Sequence, residues 1–437
     1  MEVQPIGEYY NWWQTHGGKA PPYILAFVNS RSGNPEVSAS IKSQLEEFLQ
    51  RKFHACGGGE PYLAGKICEL ADGPTSIQQC IKDTKRGIPT RSIHFLVCGG
   101  DGTVTWVLQE IENCKNQWPD LFPESELDPP IGIVPVGTGN DLARSLGWGP
   151  KLTQVADLVH YVQWTLAADA VPLDQWRVTL TLEGASQDDL PSLPACFRHV
   201  DSSPDTFVGY FQNYFSVGMD AAVTYGVERA RRGCFGKCIF RWGLGKLCYG
   251  IQSYRTNCCK FCCAPKLSIE HDSFHLQLPG AELRQYHIED ARQLTLLNIN
   301  SYGSGRVPFS EDELPRVSPA DGQLELFALD NAVQFGCILG PQRCLPPVIE
   351  RPSSLEFKLS QGEYFQMDGE SWKLETGCCV QVQRHRQVQM LRPPTCPIGI
   401  WEGRQTPGFW HAPPAAGGPL LSQGESSVVC AQHTWTP

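Results

Sequence analysis

Apolar residues recur over the first 170 positions in two alternating rhythms. The short runs Tyr23–Val28, Ile93–Cys98 and Ile131–Val136 have the length and composition of buried strands. Each gives way to a polar or glycine-rich loop: Asn29-Ser30-Arg31-Ser32-Gly33, then Gly99-Gly100-Asp101-Gly102-Thr103, then Gly137-Thr138-Gly139-Asn140-Asp141. Helical spacing follows every loop, with Val37, Ile41, Leu45 and Phe48 after the first, Val104, Val107, Leu108 and Ile111 after the second, and Leu142 to Leu146 after the third. Leu158, Val162 and Leu166 add one more amphipathic helix. Strands alternating with helices predict an α/β unit with a parallel sheet covered on both faces.

From about residue 171 the period changes. Trp176, Val178, Leu180 and Leu182 alternate with Arg177, Thr179, Thr181 and Glu183, the pattern of a half-exposed strand. The same alternation marks Leu355-Glu356-Phe357-Lys358-Leu359 and Leu324-Glu325-Leu326, so this half is expected to form an antiparallel sheet or sandwich. Ser186 to Pro204, rich in Asp, Ser and Pro, is expected as a surface insertion, and the Pro-, Gly- and Ser-rich end as a disordered tail. The expected organisation is an N-terminal extension (1–20), an α/β domain (21–170), an antiparallel β domain (171–392) and the tail (393–437).

Composition narrows the class. The 437 residues suffice for two or three domains, and 41% hydrophobic with 19% charged residues is ordinary for a globular protein. A net charge of −10 argues against nucleic acid as a partner. No apolar run approaches the roughly 18 residues of a membrane span, and Met1 to Lys19 lacks a signal peptide's basic start and apolar stretch. Nineteen cysteines, an odd number, fit reduced thiols better than a fully bridged secreted framework. Cys259 and Cys262 form a C-x-x-C with no second pair at zinc-module spacing.

The loops carry the chemistry. Glycines let backbone amides approach an anion, and the following helix N-terminus favours negative charge. One such loop is as often a tight connection as a phosphate site. Three at the carboxyl ends of parallel strands, where open sheets bind ligands, favour a phosphate-binding cleft. The chain has no G-x-x-x-x-G-K-[ST], no helix-opening G-x-G-x-x-G and no H-R-D loop.

Gly99 to Thr103 and Pro135-Val136-Gly137-Thr138-Gly139-Asn140-Asp141-Leu142-Ala143-Arg144 closely resemble the catalytic signatures of eukaryotic diacylglycerol kinases. Asn213 to Ala221, Asn298 to Gly303, Asp321 to Glu325 and Gln366-Met367-Asp368-Gly369-Glu370 are similar to that family's accessory region, in the family's order. The resemblance implies a phosphofructokinase/NAD-kinase-like N-terminal α/β domain followed by an antiparallel β-sandwich, with the active site in the cleft between them. It also implies ATP and Mg²⁺, with 1,2-diacylglycerol as acceptor and phosphatidic acid as product. Gly99, Gly100 and Gly102 are then expected to present amides to the phosphates, and Asp101 to hold Mg²⁺. Thr103 is expected to cap its helix and donate to a phosphate, Asn29 and Arg31 to contact the nucleotide, and Thr138, Asn140 and Asp141 to close the third side. Asp368 and Glu370 are the implied carboxylates for the acceptor hydroxyl, with Glu370 as base. Without the resemblance, Asp368-Gly369 reads as a hairpin turn. Asp321 is the implied ligand of a second, structural metal. Ser304-Gly305-Arg306-Val307-Pro308 departs from the family pattern, on a loop expected beside the acceptor.

Diacylglycerol stays in the bilayer, so its kinase must dock. Arg229 to Lys260 carries eight basic residues and no acidic one, interleaved with Phe235, Phe240, Trp242, Tyr249 and Tyr254. That stretch is expected to meet an anionic membrane surface, and Cys258 to Cys263 is a place for acylation. The expected location is cytoplasmic, peripheral at membranes. Kinases of sphingoid bases or ceramide form an alternative, though these usually carry Ser where Gly99 stands. An inactive lipid-binding adaptor is a second alternative, and the presence of Asp101, Asn140, Asp368 and Glu370 weighs against it.

Overall fold

The computed structural model describes residues 22–30, 35–50, 64–123, 126–184, 193–194, 196–200, 202–232, 265–286, 288, 290–339 and 348–394. The first half runs β1 (Tyr23–Val28), α1 (Pro35–Gln50), β2 (Gly65–Glu69), α2 (Pro74–Gly87), β3 (Ile93–Gly99), α3 (Asp101–Gln117), β4 (Ile131–Pro135), α4 (Asp141–Leu146) and α5 (Leu158–Ala167). Every apolar run predicted as a strand here is one, because near-continuous Ile, Val, Leu and Phe suit a parallel strand buried on both faces. The parallel order is β4-β3-β1-β2. β2 and α2 carried no sequence expectation: Gly65-Lys66-Ile67-Cys68-Glu69 is an edge strand, and α2 buries only Ile77, Ile81 and Thr84.

The second half runs β5 (Asp169–Leu182), β6 (Phe197–Val200), β7 (Ser203–Phe211), β8 (Tyr214–Gly218), α6 (Met219–Arg232), β9 (His275–Gln277), β10 (Leu283–Gln285), β11 (Gln293–Leu297), β12 (Glu325–Leu329), α7 (Ala332–Leu339), β13 (Ser354–Leu359), β14 (Tyr364–Met367), β15 (Glu370–Lys373) and β16 (Cys378–Arg392). β12, β11, β8, β14 and β15 make one antiparallel sheet. The others join the first half's sheet through β16, which pairs along its length with β5 and meets β4 at Met390↔Ile131. Part of the expected insertion is structural: β6 pairs with β7, and Phe197 buries its ring on Trp372 with centroids 4.9 Å apart.

The long strands β5 and β16 pass from one core to the other. Val171, Leu173, Val388, Met390 and Leu391 pack with the α/β core, whereas Trp176, Val178, Leu180, Val380 and Val382 pack between the two sheets. A third apolar cluster around Phe309, Phe327 and Phe335 includes residues of β11 and β12. The described cysteines Cys68, Cys80, Cys98, Cys114, Cys196, Cys378 and Cys379 are free thiols. The basic–aromatic stretch and Cys258 to Cys263 fall within 233–264, outside the described residues except for Arg229 to Arg232 at the end of α6, and the tail beyond 394 and residues 1–20 lie outside them too.

Candidate active site

Register alone gathers the predicted loops. Val28 pairs with Cys98 and Gly99 with Pro135, so β1, β3 and β4 end at one edge. Their exits are tied by Asn29 N donating to Cys98 O (3.4 Å) and Val136 N to Gly99 O (3.0 Å). Asn29 Nδ2 reaches Thr103 Oγ1 at 3.4 Å. Arg31 lies outside the described residues.

The glycines permit contact between the second and third loops. A Cβ on Gly137 would stand 2.5 Å from the Gly100 Cα, and one on Gly99 would collide with Thr103. At the start of α3, Gly100 O accepts from Thr103 N (2.9 Å) and Val104 N (3.2 Å), and no side chain caps the helix. The amides of Asp101 and Gly102 are therefore left to water or an anion. Thr138 is exposed on the third loop. Asn140, left-handed at φ 54° and buried, donates to Gly137 O (2.9 Å) and Pro150 O (2.8 Å). Its Oδ1 has no partner among the described residues.

Asp101 opens α3 and caps the neighbouring α4: its Oδ2 accepts from Asp141 N (2.9 Å) and its Oδ1 from Leu142 N (3.0 Å). Burial, and next the charge of Asp141, push its carboxyl up to about 6. Asp141 turns its own carboxylate to the second half of the molecule. It accepts from Ser301 Oγ (2.5 Å), Gly305 N (2.8 Å) and Ser304 N (3.0 Å). The loop that departs from the family pattern is thus pinned to α4. Arg144 Nε donates to Gly139 O (3.0 Å), and a Cβ on Gly305 would come within 2.7 Å of its Nη1.

The opposite wall is the β14–β15 hairpin. Asp368 (φ 47°) and Gly369 (φ 89°) form its two-residue turn, both with the positive φ that a type I′ turn requires. The turn reading and the family reading of this segment both describe it. Asp368 Oδ1 accepts from Asn213 N (2.9 Å) and Tyr214 N (3.1 Å), and Oδ2 from Gln212 N (3.0 Å) and Thr105 Oγ1 (3.3 Å). Gln212 Nε2 also donates to Thr105 Oγ1. Burial, with Asp101 nearby, pushes the Asp368 carboxyl up to about 7 against the amides that favour its anion. Glu370 is exposed one step beyond the turn. Its Oε1 lies 3.7 Å from where a Cβ would stand on Gly102, and its charge adds to the burial that pushes the Cys196 thiol up.

Asp321 stands elsewhere. Its Oδ1 accepts from Gln323 N (3.0 Å), next to Asp174, which is held by Arg384 Nε (2.9 Å) and Gly322 N (2.7 Å). Among the described residues no group of three or more His, Cys, Asp or Glu has the arrangement of a metal site. The structure therefore unites Asn29, the glycine loops, Asp101, Asn140, Asp141, Asp368 and Glu370 in one cleft, without Asp321. Thr105, Gln212 and Asn213 join them unforeseen; Asn213 lay inside a quoted motif, but nothing in its spelling announced a role.

Comparison with known proteins agrees with this layout. The family model of the diacylglycerol kinase catalytic domain matches residues 23–170, and that of the diacylglycerol kinase accessory domain matches 210–371. The chain is 30% identical over 395 residues to diacylglycerol kinase 7 of Arabidopsis thaliana, covering 80% of this chain and 76% of that protein. Diacylglycerol kinase 4 of the same plant is 28% identical over 397 residues, with the same coverage of 80% and 76%. Mouse diacylglycerol kinase theta is 30% identical over 325 residues, 69% of this chain but 30% of its own length.

Proposed function

Since this chain belongs to the diacylglycerol kinase family, a family of ATP-dependent lipid kinases, we propose that it transfers the γ-phosphate of ATP to the free hydroxyl of 1,2-diacylglycerol, releasing phosphatidic acid and ADP. One observation carries the proposal: the Glu370 carboxylate projects over Gly102, at the uncapped N-terminus of α3. A base and a phosphate cradle thereby meet across the cleft between the α/β domain (21–170) and the β domain (171–392).

Phosphoryl transfer needs positioning and charge neutralisation more than covalent help from the protein. The amides around Gly99, Gly100 and Gly102 hold the phosphates, Asn29 and Thr103 fix the first strand end, and Arg31, two positions on in sequence, is assigned a contact with the nucleotide. Thr138 and Asn140 border the third side, and Asp141 locks the second domain onto it. Magnesium, when bound, neutralises phosphate charge, and Asp101 is the residue that would hold it. The donor set fits: each Asp101 oxygen accepts one amide and keeps a lone pair, and the buried carboxamides of Asn140 and Asn213 hold unpartnered oxygens. Glu370 accepts the proton of the acceptor hydroxyl as that oxygen attacks. Asp368, with its acceptor positions already occupied, fixes the hairpin that delivers Glu370.

No described helix is long and apolar enough to cross a membrane. We place docking on the basic–aromatic stretch 229–260, which brings a cytoplasmic enzyme to the membrane periphery. Co-sedimentation with anionic liposomes that weakens as salt rises supports this, and no binding at low salt rejects it. For the reaction, labelled ATP is offered with mixed micelles of diacylglycerol, sphingosine or ceramide. Label in phosphatidic acid alone is the expected result. Label in sphingosine or ceramide moves the chain to the alternative substrates, and label in none favours a binding protein.

A further inference from the structure

The β14–β15 hairpin meets α3 at the Thr105 hydroxyl, where Asp368 Oδ2 lies 3.3 Å from Thr105 Oγ1. Thr105 stands one turn past Gly102 on the same helix face, at the i, i+3 spacing that makes side chains neighbours. The two carboxylates of the hairpin divide along that face. Asp368 lands on Thr105, and Glu370 reaches over Gly102, its Oε1 3.7 Å from where a Cβ would stand there. Where Thr105 holds Asp368 therefore decides where Glu370 meets the first turn of α3.

This hydroxyl has more partners than a helical threonine needs. Such a residue commonly returns its proton to the carbonyl four positions back, and Thr105 Oγ1 stands 3.1 Å from Asp101 O. The same oxygen also faces Asp368 Oδ2 and accepts from Gln212 Nε2. One proton and two lone pairs thus serve three groups, one in the first turn of α3 and two in the β domain. Those two groups are themselves fixed. Asp368 accepts the backbone N–H groups of Gln212, Asn213 and Tyr214 at 3.0, 2.9 and 3.1 Å. Asn298 Nδ2 donates to Gln212 O (2.7 Å), and Asn298 Oδ1 accepts from Trp176 Nε1 (2.9 Å). Thr105 therefore grips a pinned turn, not a free side chain.

We propose that Thr105 is a positioning residue of the phosphate-transfer centre, whose hydroxyl sets the β14–β15 hairpin against the first turn of α3 and so fixes Glu370 over the phosphate cradle. The proposal rests on the reading of Glu370 as base and of the α3 N-terminus as cradle. Packing alone does not supply this alignment. A methyl group fills the space of the hydroxyl, but it holds neither a carboxylate nor a carboxamide. A β-branched isostere of Thr105 then keeps the contact between the domains and loses the register of the hairpin on the helix.

The test compares the full chain as wild type, Thr105→Val and Thr105→Ser. It measures phosphorylation of diacylglycerol in mixed micelles and, by mass spectrometry, backbone hydrogen exchange over residues 364–373. Thr105→Val is expected to lower kcat by about 10–100-fold, as a misplacement of about 1 Å does, while the KM for ATP stays within about twofold. Exchange in the hairpin is expected to quicken in the same variant. Thr105→Ser, which restores the hydroxyl, is expected to recover both. Thr105→Ala takes the place of Thr105→Val, with the same expectations, should the latter fail to fold. Unchanged turnover or unchanged exchange in the folded variant, a KM for ATP that rises as far as kcat falls, or no recovery in Thr105→Ser overturns the proposal. A wild type that phosphorylates no diacylglycerol rejects the acceptor assignment, and the exchange then decides whether Thr105 holds the hairpin.

Discussion

Asp368 and Glu370 are two residues apart and chemically alike, yet the fold uses them differently. Asp368 accepts three backbone amides and a hydroxyl inside the protein, whereas Glu370 stands exposed over Gly102. Asp368→Asn exchanges two acceptor oxygens for one and places an NH₂ among amide donors. It is expected to lower unfolding stability by about 1–3 kcal/mol, read by chemical denaturation, because buried donors lose their partner. Glu370→Gln is expected to leave stability within about 0.5 kcal/mol, as surface changes do. The resemblance named Glu370 as the base but gave no separate task to Asp368, since Asp368 is satisfied by Gln212 to Tyr214, more than 150 positions away. Thr105 was invisible for the same reason: a helical threonine gains meaning only when the hairpin lands on it.

Helix α3 is the element on which most of the cleft depends. Its first turn makes the proposed cradle, Thr105 receives the hairpin, and Glu112 faces β16 where Arg384 and Arg386 flank a bulge. The His385 imidazole, 3.8 Å away, and then the Arg386 guanidinium, 3.3 Å away, hold the Glu112 carboxyl down at about 2. A depressed acid contributes stability above its unfolded pKa and loses it as pH falls through the folded value. That contribution, at most about 3 kcal/mol, is therefore complete at pH 7 and disappears between roughly pH 4.5 and 2. Glu112→Gln is expected to be less stable than wild type at pH 7 and equal to it near pH 2, by denaturation at both. Elements with strong periods were legible: β1, β3, β4, β5 and β13 fall where apolar runs or alternation put them. β6 was not, because only four residues inside a polar stretch form it, and its anchor Phe197 finds Trp372 far along the chain.

At the scale of the whole molecule, two domains with separate cores are joined by β5 and β16 and clasped at the cleft by Asp141. The clasp needs Gly305, at φ 98° and with no space for a Cβ beside Arg144. Gly305→Val is expected to dislodge the loop and reduce turnover at least about tenfold, while stability falls by only about 1–3 kcal/mol, the cost of local backbone strain. A drop in turnover no larger than the loss of folded protein, judged by circular dichroism, would show that the clasp matters only for stability. The change of period near residue 171 falls inside β5, where Val171 and Leu173 pack with the first core and Trp176 onward with the second. The joint was not legible in the sequence, because it is made by single hydrogen bonds between residues some 160 positions apart. The central claim is that phosphate passes to diacylglycerol in the cleft between Asp101 and Glu370. The most direct measurement is the rate of phosphatidic acid formation at saturating substrates by wild type, Asp101→Asn and Glu370→Gln, each first shown to be folded. We expect product from the wild type, a loss of about 10²–10⁴-fold in Glu370→Gln, the usual worth of a positioned base, and none detectable in Asp101→Asn. Near-wild-type rates in either folded variant would contradict the account.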